Sequence, residues 1–201
     1  MRDAGQGGFT LLEALVAMAV FGIFVSSMSI GLATCNIVWA RGQSRAEVQQ
    51  QGRIALDRIA REIRVSGYDP PGVIATLPSP HAIQVAQADR LTFVGDVDRN
   101  GTLDEVTYRL SAGTLVREVS TWDGITFPAA TPAELCSGFV TLGFSYYDGN
   151  DTELPAPVDP TSLHDIRRIT VAVVTTASTV GKEASLRLVE DVRVRNLCQY
   201  H

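Results

Sequence analysis

Gly8-Phe9-Thr10-Leu11-Leu12-Glu13, followed by the uncharged run from Ala14 to Ala33, is the stretch that decides the fold. At about 1.5 Å of rise per residue, twenty apolar residues form a helix roughly 30 Å long, the thickness of a bilayer core. A buried helix in a soluble domain usually carries a polar stripe. Here the polar positions are only the small residues Ser26, Ser27, Ser29 and Thr34. A secretory signal has an apolar core of about 7–15 residues and a basic start. This run is longer, and Glu13 sits inside its beginning. A lipoprotein signal would end in small residues before a cysteine. Leu32-Ala33-Thr34-Cys35 places Thr34 where Gly, Ala or Ser is needed.

Outside this run the chain is ordinary. Its 201 residues are 45% hydrophobic and 19% charged, with a formal net charge of −5. That composition excludes general disorder. The acidic balance argues against a surface that coats nucleic acid, so no nucleic-acid partner is expected. Three Cys and three His are too few for a disulfide scaffold or a Cys/His zinc module.

The polar leader ending in Gly8, Phe9 after it, Glu13 four residues on and the long apolar run together resemble the cleavage site of type IV prepilins and type II secretion pseudopilins. The resemblance implies that a prepilin peptidase cuts between Gly8 and Phe9 and that Phe9 is then N-methylated. It implies an assembly role for Glu13, paired with the N-terminal amine of a neighbouring subunit. The partners so implied are other pilins or pseudopilins, the membrane and an inner-membrane assembly platform. The segments would be a leader over 1–8, a transmembrane and assembly helix over 9–40, and a periplasmic pilin-like domain over 41–201. Physically, a carboxylate at the edge of an apolar span is costly unless paired or protonated.

Beyond the apolar run the helical period continues. Val48, Gly52, Ala55, Leu56, Ile59 and Ile63 recur every three or four residues. The helix should stop near Gly67, before Asp69-Pro70-Pro71-Gly72. Strands are expected over 82–86, 90–94, 105–110, 114–119, 139–147, 169–176 and 185–195. Ser111-Ala112-Gly113 would turn one hairpin, and a turn carrying Gly181-Lys182 another. Residues 148–165 read as a long loop. In the last strand Leu186, Leu188, Val192 and Val194 are expected inward, with a bulge near Glu190. The class is α+β, a long N-terminal helix packed on an antiparallel sheet. Val106-Thr107-Tyr108-Arg109-Leu110, Gly113-Thr114-Leu115-Val116-Arg117-Glu118, Ile166-Arg167-Arg168-Ile169 and the closing Val192-Arg193-Val194-Arg195-Asn196-Leu197 resemble PilW-type minor pilins and GspJ-type pseudopilins. That resemblance implies a minor pilin acting in initiation or at the tip of a type IV pilus. Two alternatives stay open, a secretion pseudopilin of the tip complex and a membrane-tethered binding module.

Two further features concern ligands and bonds. Asp96-Val97-Asp98-Arg99-Asn100-Gly101-Thr102-Leu103-Asp104 follows the opening of an EF-hand-type loop. Calcium would be held by side-chain oxygens of Asp96, Asp98 and Asn100, the carbonyl of Thr102, and Asp104. The twelfth position, where a bidentate Glu belongs, is Thr107, so a plain Asp/Asn/Gly turn remains the other reading. Cys136 and Cys198 are expected to form a disulfide in an oxidising compartment. No enzyme site is expected. His81, His164 and His201 show no metal-ligand spacing, and His164-Asp165 lacks a placed nucleophile.

Overall fold

The computed structural model describes residues 10–137, 139–179 and 182–194. Contacts divide the chain into two compact units, Met1–Ser44 and Arg45–His201. Helix α1 spans Leu11–Val65 and contributes to both. In the first unit every large apolar side chain from Leu11 to Trp39 is exposed. The hydroxyls of Ser26, Ser27, Ser29 and Thr34 each donate to the carbonyl four residues earlier, at 2.8–2.9 Å. Those polar groups are therefore satisfied within the helix, which is what an apolar surrounding demands.

The second unit contains the end of α1 and two antiparallel sheets. The first sheet has the order β1 (Ile83–Ala86), β2 (Arg90–Gly95), β3 (Asp104–Ser111), β4 (Thr114–Thr121) and β5 (Thr131–Ser137). The second has the order β7 (Glu153–Leu154), β6 (Phe139–Tyr147), β8 (Arg168–Thr179) and β9 (Lys182–Arg193). The expected single sheet is thus two. The region read as a loop over 148–165 holds β7 and a short 3-10 helix, Pro160–Asp165, capped by Asp159. Strand β5 had no expectation, because Pro132 and a run of mostly exposed residues hide an edge strand.

The apolar stripe of α1 closes one core between helix and sheets. Ala55, Leu56, Ile59, Ala60 and Ile63 are buried with Leu91, Phe93, Val106 and Tyr108 of the first sheet. Phe144, Ile169, Val171 and Val173 of the second sheet join the same cluster. At about 25 cal/mol per Å2, fully burying each large aliphatic side chain contributes roughly 1.5–3 kcal/mol before entropy is charged. The β8–β9 register runs unbroken from Arg168↔Arg193 to Thr179↔Lys182. The bulge expected near Glu190 is absent, and none is needed. Leu186, Leu188, Val192 and Val194 are all two residues or a multiple of two apart, so one face carries them. The β3–β4 hairpin turns through Ala112 and Gly113, with φ of 49° and 76°. Both central residues of a type I′ turn need positive φ, which matches the twist of the strands.

Two contacts fix the helix to the sheet. Glu62 accepts hydrogen bonds from the Tyr108 hydroxyl at 2.7 Å and Arg117 Nε at 2.9 Å, and pairs with Arg58 at 3.1 Å. Burial, then the adjacent Glu62 carboxylate, push the Tyr108 hydroxyl far above its usual range. Burial works against the Arg117 charge, but the Glu62 carboxylate outweighs it and holds the guanidinium protonated. At the helix end, the Gly67 N–H donates to the Val94 carbonyl at 2.8 Å and the Asp96 N–H to the Tyr68 carbonyl at 2.9 Å. A Cβ on Gly95 would stand 2.9 Å from the Val65 carbonyl oxygen, so only glycine lets β2 approach this closely.

Two outcomes follow for the detergent-solubilised full chain under urea. Glu62→Ala strands the Arg117 charge and the Tyr108 hydroxyl, and should cost about 3 kcal/mol. Gly95→Ala should cost about 1–3 kcal/mol, because the clash is with backbone and not with a flexible side-chain tip. Unfolding midpoints equal to the parent chain would contradict both.

Candidate functional site

The first candidate region is the start of α1. Thr10 precedes the helix, and its Oγ1 accepts the Glu13 backbone N–H at 3.3 Å. Thr10-Leu11-Leu12-Glu13 is therefore a capping-box sequence, with Glu13 at the third helical position. A carboxylate there also faces the positive end of the helix dipole. Glu13 is exposed, as are its apolar neighbours. Helix Leu11–Trp39, 29 residues long, is long and apolar enough to cross a membrane. Gly8 and Phe9, the expected cleavage and methylation residues, lie outside the described residues.

The second candidate is the loop between β2 and β3. It leaves β2 at the point where Gly95 touches the helix end, and β3 begins at Asp104. Asp96 and Asp104 are buried, at 1% and 2% exposure, while Asp98 is exposed. One oxygen from each of these three carboxylates lies within 4.8 Å of the others. Asp96 accepts the Asn100 and Gly101 N–H groups at 3.0 Å each. Asp98 accepts the Asn100 N–H at 3.1 Å and its side-chain amide at 2.9 Å. The Asn100 side-chain oxygen accepts the Thr102 N–H at 2.7 Å and also its hydroxyl. Arg99 and Gly101 take positive φ, 61° and 84°, to close the turn. Of the five expected ligands, the fold brings the three Asp carboxylates together. Asn100 and Thr102 are engaged with one another and with Asp98 in the same turn.

Burial pushes the Asp104 carboxyl above its ordinary value of 3.8, an effect opposed by its bond from Thr121 and reinforced by Asp98 and Asp96. The Thr121 hydroxyl donates to it at 2.6 Å. The remaining expected residues divide. Cys136 is a half-buried thiol in β5, with its ionisation raised by burial. Cys198, its expected partner, lies outside the described residues.

The fold also brings two histidines together. His81 and His164 had no spacing to connect them, yet their ring centroids lie 5.9 Å apart. His164 Nε2 also lies 3.2 Å from the Asp165 carboxylate. No local signal could have joined residues 81 and 164, because the pairing depends on where the 3-10 helix docks.

Residues 3–29 match the prokaryotic N-terminal methylation motif. Among curated protein sequences none matches this chain. Among solved structures, the chain is similar to a type IV-like pilin from Thermus thermophilus, at 11% identity and a TM-score of 0.52, over 75% of this chain and 98% of that one. It is also similar to a chain of the GspK-GspI-GspJ complex from the enterotoxigenic Escherichia coli type 2 secretion system. That likeness has 13% identity and a TM-score of 0.43, over 73% of this chain and 98% of that one. The first of these likenesses establishes the fold as the type IV pilin arrangement of a long N-terminal helix followed by antiparallel sheets.

The raised Asp104 ionisation has a sign that can be measured. A carboxyl whose folded value exceeds its unfolded value binds more protons when folded. Stability from this group is then present below about pH 4 and falls as pH rises through the folded value. Asp104→Asn removes that penalty while keeping an acceptor for Thr121. In chelator at pH 7 the variant should melt above the parent, and the gap should close at pH 4. A gap independent of pH would contradict the assignment.

Proposed function

We propose that this protein is a minor pilin that takes part in assembling a type IV pilus, in the initiation or tip complex. The observation that carries the reading is the methylation motif over residues 3–29 running directly into an exposed apolar helix in a chain of pilin fold. The role is structural. In the inner membrane, the apolar surface from Leu11 to Trp39 is covered by lipid, and the folded unit lies in the periplasm. On assembly, the same surface exchanges lipid for the helices of other pilins. Little free energy separates the two states, because lipid tails and aliphatic side chains are equally apolar. What selects one register is the charged pair. The prepilin peptidase cuts after Gly8, and the methylated Phe9 amine of one subunit meets Glu13 of its neighbour. Two desolvated charges cost less together than apart.

The processing step is read by mass spectrometry of the membrane-extracted protein, with and without the peptidase. The mature N-terminus is expected at methylated Phe9, and any other start would sink the idea. Two properties of Glu13 are to be separated, its charge and its place as the third residue of a capping-box sequence. Glu13→Gln preserves the cap, because Gln serves at that position as Glu does. It removes the charge. Co-purification with other pilins should therefore fall as far in Glu13→Gln as in Glu13→Ala. Normal co-purification of the Gln variant would leave the Glu13 charge without a role in assembly.

The 96–104 loop binds calcium and stiffens the junction of β2, β3 and the helix end. The support is the convergence of Asp96, Asp98 and Asp104, with two of the three buried. Three carboxylates so close repel one another, and a hard cation with oxygen ligands relieves this. Ligand that binds only the folded state raises its stability, by about 2.7 kcal/mol at a hundredfold excess over Kd. Melting of the full chain in detergent should rise between chelator and millimolar calcium, and Asp96→Ala/Asp98→Ala should abolish the rise. Equal melting temperatures in all conditions would leave the plain turn.

A further inference from the structure

Outside the residues of both regions, the pair His81 and His164 is brought together by the fold alone. Each sits beside a buried anchor. His81 precedes Ala82, which is 1% exposed and whose carbonyl accepts the Val94 N–H at 2.8 Å. Gln84 Nε2 donates to the carbonyl of Ser79 at 3.0 Å and of His81 at 2.5 Å, holding the approach to β1. His164 follows Leu163, which is 2% exposed, and precedes Ile166, which is fully buried. Arg167 Nη1 donates to the His164 carbonyl at 2.5 Å. The Val158 N–H donates to the Ala86 carbonyl at 2.9 Å, tying the segment before the 3-10 helix to β1. The two backbones are therefore fixed, and the rings project from them. The His164 side chain is 51% exposed.

The rings are tilted by 32° at a centroid distance of 5.9 Å. With His164 exposed and His81 half-buried, the two rings gain little from each other as apolar surfaces. Two imidazoles on one tetrahedral cation, with metal–nitrogen distances of about 2.0–2.1 Å, have centroids about 5.2 Å apart. The observed spacing exceeds this by less than an ångström, within reach of a small χ adjustment by the exposed His164 ring. The Asp165 carboxylate lies 3.2 Å from His164 Nε2. A ligating histidine commonly donates its second nitrogen to a carboxylate, which fixes tautomer and ring orientation. A cation shared by the two rings would then take Nδ1 of His164.

We propose that His81 and His164, with Asp165 as the positioning residue, form a site for a borderline divalent cation such as zinc, completed by water. Imidazole nitrogens select zinc, copper or nickel over calcium and magnesium. The site is therefore chemically separate from the all-oxygen 96–104 loop. Its occupation clamps the 3-10 helix Pro160–Asp165 to the start of β1, across 83 residues of sequence.

The test is calorimetric titration of zinc chloride into the full chain without a histidine tag, in detergent, at pH 7.5. Thiols are alkylated, and excess calcium is present so that the acidic loop does not compete. One zinc per chain is expected. His81→Ala and His164→Ala should each weaken binding at least tenfold. Asp165→Asn should weaken it by about tenfold or more. His201→Ala should leave it unchanged. In the unsubstituted chain, zinc should shift the ring resonances of His81 and His164 together and leave those of His201 in place, a readout independent of how any variant folds. No zinc binding, binding that survives both His81→Ala and His164→Ala, or shifts confined to His201 would overturn the proposal.

Discussion

The burial of one helical stripe, Gly52 to Ile63, against two sheets is the constraint on which the rest of the folded unit depends. Ala55, Leu56, Ile59, Ala60 and Ile63 lie in the same cluster as residues from β1, β2, β3, β6 and β8. Remove that stripe and neither sheet has a covered inner face. The helix is also close to the sheet because of what it lacks. Gly52 is buried, and a Cβ there would stand 2.7 Å from a Leu188 methyl. A small residue at that position sets how near α1 and β9 can come.

The helix end carries a second consequence. Gly67, Gly95 and Asp96 join the end of α1 to the end of β2 through backbone bonds. The same strand end launches the acidic loop, so the carboxylates stand on backbone held by the helix. Asp96 and Asp104 are buried because they flank this junction, not because a pocket encloses them. Burial of carboxylates without a counter-charge is unfavourable. The backbone N–H groups given to Asp96 and the hydroxyl given to Asp104 offset part of that cost.

The first half of α1 answers to a different solvent. Its apolar side chains are exposed, and its few hydroxyls bond back to the helix itself. A surface of that kind suits lipid or other helices of the same kind. The proposed assembly role therefore needs no pocket and no reactive group, only a covered surface and one correctly placed charge.

The features legible in the sequence are those with a short repeat or a local signal. The uncharged run from Ala14, the three-and-four spacing from Gly52 to Ile63, and the Gly at 67 each act within a few residues. So do the strand alternation and the turn at Ala112-Gly113. Local dihedral preferences and side-chain period suffice to specify them. Other features came only from tertiary structure, because their partners are distant in sequence. The division into two sheets rests on which strands find each other. β5 forms because β4 offers it a ladder, despite Pro132 and little alternation. The Glu62, Tyr108 and Arg117 network joins one helix to two strands. The meeting of His81 with His164 requires the 3-10 helix to dock on β1. In the acidic loop, spacing alone pointed to Asp96, Asp98 and Asp104, but their burial was decided by packing at the end of α1. Sequence settles what a segment can form by itself. Which distant groups share a dielectric and a contact is settled by long-range packing, whose loop-closure entropy no local pattern records.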